Sequence, residues 1–403
     1  MLRACSILTL LILALPAAAL AQAAGPTQPA RPAWTIQAGP AEQTVFLTAP
    51  RLKPDGGKWR LGYLESGDYA EYPDTLRAII LGLQKLGWLN TPDIPERLNG
   101  RQIWDFLVQH VQSDTLEFVA DAWWQPGNFD PAQRPVVREA IRQRLVERHD
   151  IDLILAMGTW AGQDMVALGA PIPTVVASAS DAVGSRIVAS ASDSGLDNLH
   201  ARVQPERYQH QVQLFFDIVK FKTLGMVYED SLEGRSYAAV PAVEQAAAKD
   251  GFQMVSCTTG ANELTTAQAT RNVIECYRKL SNEVDAMYVT THRGITTENI
   301  GEIAGILRKA KVPSFAMLDP AQVRAGLLMS LAQPDYSYVG LFHAEVIARI
   351  LNGAKPRQLS QIWVDPAKIA LNLDTARIIG FDPPVDILLA ADEVYSEQDA
   401  LEP

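Results

Sequence analysis

The sequence predicts an α/β protein made of two lobes, each a doubly wound parallel sheet, joined by crossovers. From Trp59 onward, short apolar runs alternate with amphipathic helical patterns. Such runs are typical of parallel strands that are buried on both faces. The alternation also falls into two series, separated by a polar and irregular bridge at residues 178–198. One sheet for each series is the simplest arrangement that fits this pattern.

Each series predicts its own strands, and helical patterns lie between them. The first series predicts strands at 60–66, 116–124, 151–158 and 172–178, and the second predicts strands at 223–229, 252–257, 286–290 and 314–318. Helical spacing predicts helices at 75–86, 136–148, 205–219, 238–249, 265–280 and 298–310, the first of them closed by Gly87. Ligands gather at the carboxyl ends of parallel strands, so two such lobes predict a cleft between them.

The N-terminal residues predict export. Arg3 precedes an apolar run from Ile7 to Leu15, and Pro16 follows. The alanines at 19, 21 and 23 offer two cleavage registers. This is the layout of a secretory signal peptide, here residues 1–23, and it places the mature protein in the periplasm. Residues 24–57 are rich in Pro, Gly and Ala and predict an extended arm or linker with one short strand at 44–47. Plain disorder is an equal alternative for the arm.

Charge and motifs exclude several classes of function. The formal charge of −11 argues against nucleic acid or an anionic membrane as a partner. No phosphate-binding loop, dinucleotide fingerprint, zinc-protease motif or nucleophile elbow is present. The six histidines lack metal-ligand spacing, so we expect no metal, no cofactor and no catalytic residues.

Two cysteines follow the predicted signal peptide. An oxidising compartment permits a disulfide between Cys257 and Cys276. A helix that runs back along its strand would however carry Cys276 away from Cys257, beyond the Cα separation that a bridge tolerates. We therefore favour two small buried residues over a disulfide.

Polar and aromatic side chains recur where the predicted strands end, which suits hydrogen bonding and stacking of a small organic ligand. The alternative is that these residues only close the edges of the sheets. The ends contribute the candidate ligand-binding residues Ser66, Tyr69, Trp124, Thr159, Trp160, Ser178, Asp181, Tyr228, Thr290, Thr291, His292, Arg293 and Asp319.

A family resemblance covers residues 59 to about 395. The segment LILAMGTWAGQDMVALGAPIPTVVASASDAV, with Gly158-Thr159, Ile172-Pro173 and Asp181-Ala182-Val183, resembles the ABC-transporter substrate-binding proteins of the tryptophan/tyrosine-binding-like family. The likeness continues through NEVDAMYVTT and is clearest near the C-terminus, in VRAGLLMSLAQPDYSYVGLFHAEVIARILNGAKPRQL and IALNLDTARIIGFDPPVDILLAAD.

This resemblance implies the type I periplasmic binding fold (Venus flytrap), with a small solute held between lobes that close around it. The expected lobe I comprises residues 58–185 and about 325–352, and lobe II comprises 195–322 and about 353–395. The expected partners are the solute and an ABC permease in the inner membrane, and we expect a monomer. The family's ligand positions map onto Ser66, Thr159, Ser178, Asp181, Tyr228, Thr290 and Thr291.

One position departs from the family pattern. Where amino-acid-binding relatives have an acidic residue, just after the VDA-x-Y-V strand, this chain has His292, followed by Arg293. The change removes the expected partner of a ligand ammonium group, and Arg293 favours a carboxylate. We therefore expect an aromatic or carboxylate-bearing organic solute.

Two other functions remain open at the level of sequence. The same lobes could dock on a receptor kinase and report a ligand, and a neighbouring kinase gene rather than a permease gene would favour this role. A periplasmic enzyme using Asp181, His292 or a cysteine is the weaker alternative, because no base–nucleophile pair is recognisable.

Overall fold

The computed structural model describes residues 46–69, 71–260, 265–332, 336–364 and 368–396. They all belong to the unit of the chain that begins at Phe46. The strands are β1 (Trp59–Glu65), β2 (Leu116–Trp124), β3 (Leu153–Met157), β4 (Thr174–Ala177), β5 (Leu199–Ala201), β6 (Thr223–Glu229), β7 (Gln253–Thr259), β8 (Ala286–Val289), β9 (Ser314–Ala316), β10 (Met329–Ala332), β11 (Lys368–Asn372) and β12 (Glu393–Tyr395).

The helices lie between these strands and after them. They are α1 (Glu71–Lys85), α2 (Gly100–His110), α3 (Arg134–Glu147), α4 (Thr159–Ala167), α5 (Arg207–Val219), α6 (Leu232–Tyr237), α7 (Val240–Asp250), α8 (Thr266–Leu280), α9 (Ile300–Lys309), α10 (Pro320–Arg324), α11 (Ser337–Leu351), α12 (Leu373–Ile379) and α13 (Val385–Ala390), with a 3₁₀ turn at Pro356–Gln358. The strands and helices expected from Trp59 onward are therefore confirmed, with shifts of a few residues at their ends.

The strands form two sheets, as expected. The first has the order β2-β1-β3-β4-β5, and all its neighbours run parallel. The second has the order β12-β11-β10-β9-β8-β6-β7 and is parallel except where β10 meets β11. The central strands β3, β4 and β8 are buried along their whole length, because helices cover both faces of each sheet.

Two of the expected lobe boundaries differ from the sheets. Strand β5 belongs to the first sheet, although residues from 195 onward were assigned to lobe II. Strand β10 belongs to the second sheet, although residues 325–352 were assigned to lobe I. Both strands are only three or four residues long and lie next to crossovers, so hydrophobic pattern alone did not distinguish them from connecting segments.

Helix α11 returns to the first lobe and packs closely on α1. The contact depends on two glycines. A Cβ on Gly340 would lie 2.4 Å from the carbonyl oxygen of Ala78, and a Cβ on Gly82 would lie 2.7 Å from the Cβ of Ala344. Only the absence of side chains lets the two helix backbones approach this closely.

The crossovers next to the first sheet are tied together by backbone hydrogen bonds. The amide of Val203, just after β5, donates to the carbonyl of Gln361 at 2.7 Å, and the amide of Trp363 donates back to the Val203 carbonyl at 3.1 Å. The His200 ring lies beside them, with Nε2 3.0 Å from the carbonyl of Ser360. These contacts hold the segment that follows β5 beside the segment that precedes β11.

The described part of the N-terminal arm lies along the first lobe. The Trp88 indole donates to the carbonyl of Thr48, and the Asn352 amide donates to the carbonyls of Leu47 and Ala49. Phe46 and Leu47 are not in a strand, whereas Thr44 and the expected signal peptide lie outside the described residues. Residues 46–57 thus behave as part of the first lobe.

The disulfide expectation was wrong. Cys257 on β7 and Cys276 on α8 are bonded, with a Cα–Cα separation of 5.6 Å. The cysteines would lie apart only if α8 started level with the end of β7. Ten residues of helix span about 15 Å and two residues of strand about 7 Å, so the helix must start beyond the end of the strand for the cysteines to meet.

Candidate functional site

A cavity of about 440 Å³ lies between the carboxyl ends of the two sheets. The first lobe contributes the start of α1 and the residues after β4. The second lobe contributes the start of α5, the residues after β9 and the strand β12. The cavity is lined by Glu71, Asp74, Thr75, Ser178, Ala179, Ser180, Arg202, Arg207, Tyr208, Leu318, Asp319, Pro320, Ala321, Arg324, Tyr336, Val339, Glu393 and Tyr395.

Both charge signs are present in the cavity. Burial raises the pKa of Glu71 to about 7, against the opposing effect of the nearby Arg207 and Arg202 guanidinium groups. Burial also raises the pKa of Asp319, although its carboxylate caps α10 by accepting from the Gln322 amide at 3.1 Å. Arginines and carboxylates from both lobes therefore share one partly dehydrated space, where charged ligand groups are bound more strongly than in water.

Tyrosines supply the apolar part of the lining. The Tyr208 hydroxyl donates to the carbonyl of Ser180 at 3.1 Å, which joins α5 to the first lobe. The guanidinium of Arg324 lies 5.1 Å from the centre of the Tyr395 ring. Tyr336, at the start of α11, is the third tyrosine of the lining, and aromatic rings suit contact with a flat organic group.

Of the residues singled out from the sequence, Ser178 and Asp319 line this cavity. Ser178 adopts a left-handed backbone conformation, with φ of 57°, where the chain turns out of β4. Asp181 lies just beyond it, and its carboxylate accepts from the Gly184 amide at 2.8 Å, closing a turn.

Four of the first-lobe candidates make internal contacts. The Ser66 hydroxyl donates to the Met157 carbonyl and accepts from the Ala161 amide, each at 3.1 Å, so it joins β1 to the start of α4. Thr159 is the first residue of that helix and is buried. The Trp160 ring lies under the Arg134 guanidinium at 4.6 Å, and Trp124 faces Arg144 at 5.9 Å.

The space beside Gly158 is filled by a tyrosine. A Cβ at Gly158 would lie 1.8 Å from the hydroxyl oxygen of Tyr72, and the glycine has φ of +94°. Tyr72 also hydrogen-bonds to Ser66. The small residue thus makes room for a neighbouring side chain of the same lobe.

Tyr69 and Thr291 meet across the lobes. The Tyr69 hydroxyl, from the loop after β1, hydrogen-bonds to Thr291, which follows β8. The Tyr69 ring also packs edge-on against Tyr72, 5.2 Å away. These two candidates therefore join the lobes directly.

The remaining second-lobe candidates lie inside their lobe. The Thr290 hydroxyl donates to the Val227 carbonyl at 2.5 Å, and Tyr228 is buried in the core under Arg235. His292 is 2 % exposed, and its Nδ1 accepts from the Gly294 amide at 2.9 Å. Its Nε2 therefore carries the proton and donates to Thr259 at 2.8 Å. Burial and the neighbouring Arg293 lower the pKa of His292 to about 3, so the ring is neutral.

Arg293 is paired with a buried acid. Its Nε lies 2.9 Å from Oε1 of Glu229, a residue that is 1 % exposed at the end of β6. The N–H does not point along this line, so the contact is an ion pair rather than a linear hydrogen bond. Burial raises the pKa of Glu229, while Tyr237 and Arg293 lower it. The guanidinium that we expected to hold a ligand carboxylate therefore already faces a carboxylate of the protein.

Sequence reasoning missed most of the cavity. The missed lining residues lie at the starts of helices or in crossovers, and include Glu71, Arg202, Arg207 and Tyr336. A search restricted to the carboxyl ends of predicted strands does not include these positions. The sequence could have indicated them only indirectly, because residues next to the crossovers line the base of a cleft between two lobes. Among the described residues, no cluster of three or more His, Cys, Asp or Glu could hold a metal ion.

Solved structures show that this is the fold of two-lobed binding proteins. A conserved domain protein from Vibrio cholerae matches with 19 % identity and a TM-score of 0.61, covering 84 % of this chain and all of that one. A Streptococcus pneumoniae protein, an ABC domain in complex with L-Trp, matches with 19 % identity and a TM-score of 0.63 over the same shares. A ligand-free, open substrate-binding protein with adhesive properties from Clostridium difficile matches with 19 % identity and a TM-score of 0.55, covering 84 % of this chain and 99 % of that one.

The sequence identifies the family within that class. The profile of the ABC transporter substrate binding proteins matches residues 131–395, about two thirds of the chain, so the chain belongs to this family. It captures a small-molecule ligand for ABC import, as the resemblance implied, and the family is extracellular or periplasmic. No curated protein matches the chain. In the parts of the chain that the structure describes, none of the helices has the length and apolar character to cross a bilayer.

Proposed function

We propose that the chain binds one small, carboxylate-bearing organic solute with a flat or aromatic part in the cavity between the lobes. Arg202 and Arg207 supply the positive charge for the carboxylate, and Tyr208 and Tyr336 supply ring surfaces. A volume of about 440 Å³ falls in the range of ordinary small-molecule sites. The single observation that carries this proposal is that two arginines, Arg202 and Arg207, and two tyrosines, Tyr208 and Tyr336, line the same cavity between the lobes.

The Streptococcus pneumoniae relative supports this class of solute, because L-Trp has both a carboxylate and an aromatic ring. The proposal moves the anion-binding role away from Arg293, which is paired with Glu229. It also accounts for His292 in place of an acid, since the carboxylates Glu71 and Asp319 lie elsewhere in the cleft.

We further propose delivery to an ABC permease without chemical change to the solute. The described residues that line the cavity include hydroxyl groups but neither a histidine nor a cysteine that could activate one. The expected result is saturable binding with recovery of the same molecule.

Native mass spectrometry of the purified protein tests the proposal, because a tightly held solute survives purification. Adding the identified molecule should stabilise the protein by RT ln(1 + [L]/Kd), about 2.7 kcal/mol at a hundredfold excess over Kd. Arg207→Met should weaken binding by about 2 kcal/mol, whereas Arg142→Met, on the exposed face of α3, should leave binding unchanged. A bound solute without a carboxylate, or equal affinity in both variants, would reject the proposed mode of binding.

A further inference from the structure

Two buried serines from opposite lobes meet outside the cavity. The Oγ atoms of Ser185 and Ser236 are 2.6 Å apart, and the residues are 1 % and 3 % exposed. Neither lines the cavity. Ser236 Oγ also lies 3.5 Å from the carbonyl oxygen of Asp181. The contact exists only while the lobes are together, because each serine belongs to a different sheet and core.

The first-lobe side of this contact is a fixed turn. The Asp181 side chain accepts from the Gly184 amide at 2.8 Å, and the Asp181 carbonyl accepts from the Ser185 amide at 3.0 Å. Ile187, which follows the turn, is buried in the first-lobe core. The Gln163 amide on α4 donates to the Ser185 carbonyl at 3.1 Å. Asp181, selected from the sequence as a ligand residue, thus shapes the turn that presents Ser185.

The second-lobe side is held by the Arg293–Glu229 ion pair. Ser236 is on α6, and the next residue, Tyr237, lies beside Glu229: burial and the neighbouring Glu229 carboxylate raise the pKa of the Tyr237 hydroxyl. Glu229 in turn faces Arg293 at 2.9 Å. A row of contacts therefore runs from the end of β8, through the end of β6, to the helix that carries Ser236.

We propose that Ser185 and Ser236 form a latch between the lobes. Glu229, Arg293 and Tyr237 are positioning residues, which hold α6 where Ser236 can reach Ser185. The latch stabilises the closed form without touching the solute. A neutral hydrogen bond between buried groups shifts an equilibrium by about five- to tenfold. Because apparent affinity scales with the fraction of closed protein, the latch sets how long the solute is retained.

The latch is tested on the protein without added solute, so its outcome does not depend on the solute proposed above. In Ser185→Cys/Ser236→Cys, mild oxidation should form a second disulfide, so that neither new thiol reacts with maleimide after unfolding in urea, whereas the thiol of each single variant does react. Solution X-ray scattering should then show a radius of gyration fixed at the closed value. Free thiols in the double variant after oxidation would overturn the latch.

Hydrogen–deuterium exchange supplies an independent readout that a purely structural serine would not produce. Ser236→Ala should raise exchange about five- to tenfold at residues 181–187 and 232–237 together, and Ser236→Thr, which keeps the hydroxyl, should restore the wild-type rates. Tyr237→Phe should raise exchange in the same two segments by releasing α6 from Glu229. Unchanged exchange at 181–187 in both Ser236→Ala and Tyr237→Phe would overturn the proposal.

Discussion

Arg293 and Glu229 form an ion pair inside the second lobe, with 2.9 Å between Nε and Oε1. Glu229 ends β6, and Arg293 lies in the loop that follows the neighbouring strand β8. The carboxylate side chain is only 2 % exposed, and the guanidinium side chain is 22 % exposed. The opposite charge offsets part of the cost of burying the carboxylate, although Glu229 Oε1 and Arg293 Nε make no linear hydrogen bond. The arginine that stood out in the sequence as a ligand clamp therefore supports the architecture of its own lobe.

Removing the cation from this pair should destabilise the protein strongly. Arg293→Gln leaves the Glu229 carboxylate buried without its partner, and the free energy of unfolding should fall by about 3–5 kcal/mol. Urea denaturation at pH 7 measures the change. The matched control is Arg142→Gln, whose exposed pair with Glu139 should leave the unfolding midpoint unchanged. Equal midpoints for the two variants would show that Glu229 does not depend on Arg293.

Glu65 should make stability depend on pH. Burial raises its pKa to about 7 in the folded protein from an ordinary value of 4.5, although it accepts from Tyr63 and Gln125. Between these two values the folded state binds more protons than the unfolded state, so stability is greatest below about pH 4.5 and falls as pH rises to about 7. The loss attributable to this group is about 3 kcal/mol.

Glu65→Gln should remove that slope. Urea denaturation of both proteins between pH 5 and 8 gives the measurement, and the difference between their curves isolates Glu65 from other titrating groups. The wild type should lose stability relative to the variant as pH rises. Parallel curves would mean that the folded protein holds Glu65 at its ordinary pKa.

The fold could be predicted from the sequence because it depends on local pattern. The apolar run at 151–158 is a strand in any context that covers both its faces, and β3 is indeed buried at all five positions. Helix α2 was missed although its signals were present. Asn99 and Gln102 form a capping box, and Ile103, Trp104 and Leu107 follow at helical spacing on the buried face.

The candidate site could not be predicted to the same extent. Which side chains face the cavity depends on which of them already form hydrogen bonds or ion pairs inside their own lobe. Thr290 and His292 end a strand at the cleft, as expected, but Val227 and Thr259 of neighbouring strands take up their hydrogen bonds. A partner that lies on another strand leaves no trace in the local sequence. Ser178 directly follows β4 and Asp319 lies between β9 and α10, so the strand-end rule reaches both residues, and both line the cavity.

The Cys257–Cys276 disulfide should contribute substantially to stability. It ties the edge strand β7 to α8 across 19 residues of chain. Closing a loop of this size restricts the unfolded chain, and removing the bridge in Cys257→Ser/Cys276→Ser should lower the free energy of unfolding by about 3 kcal/mol. Dithiothreitol should destabilise the wild type by a similar amount and leave the double variant unchanged. Equal unfolding of both proteins under oxidising conditions would show that the bridge adds nothing.

Glu71 should make solute binding depend on pH if the solute carries a carboxylate. The pKa of Glu71 is about 7, and its side chain lies near Arg202 and Arg207. Below that value Glu71 is neutral and does not repel an anionic solute, and above it the Glu71 carboxylate repels the anion and attracts the same two arginines. Affinity should therefore fall about three- to tenfold between pH 6 and 8, as measured by calorimetry with the solute identified by native mass spectrometry. Glu71→Gln should bind with the same affinity at both pH values. Affinity that rises with pH in the wild type would instead mean that Glu71 binds a cationic group of the solute.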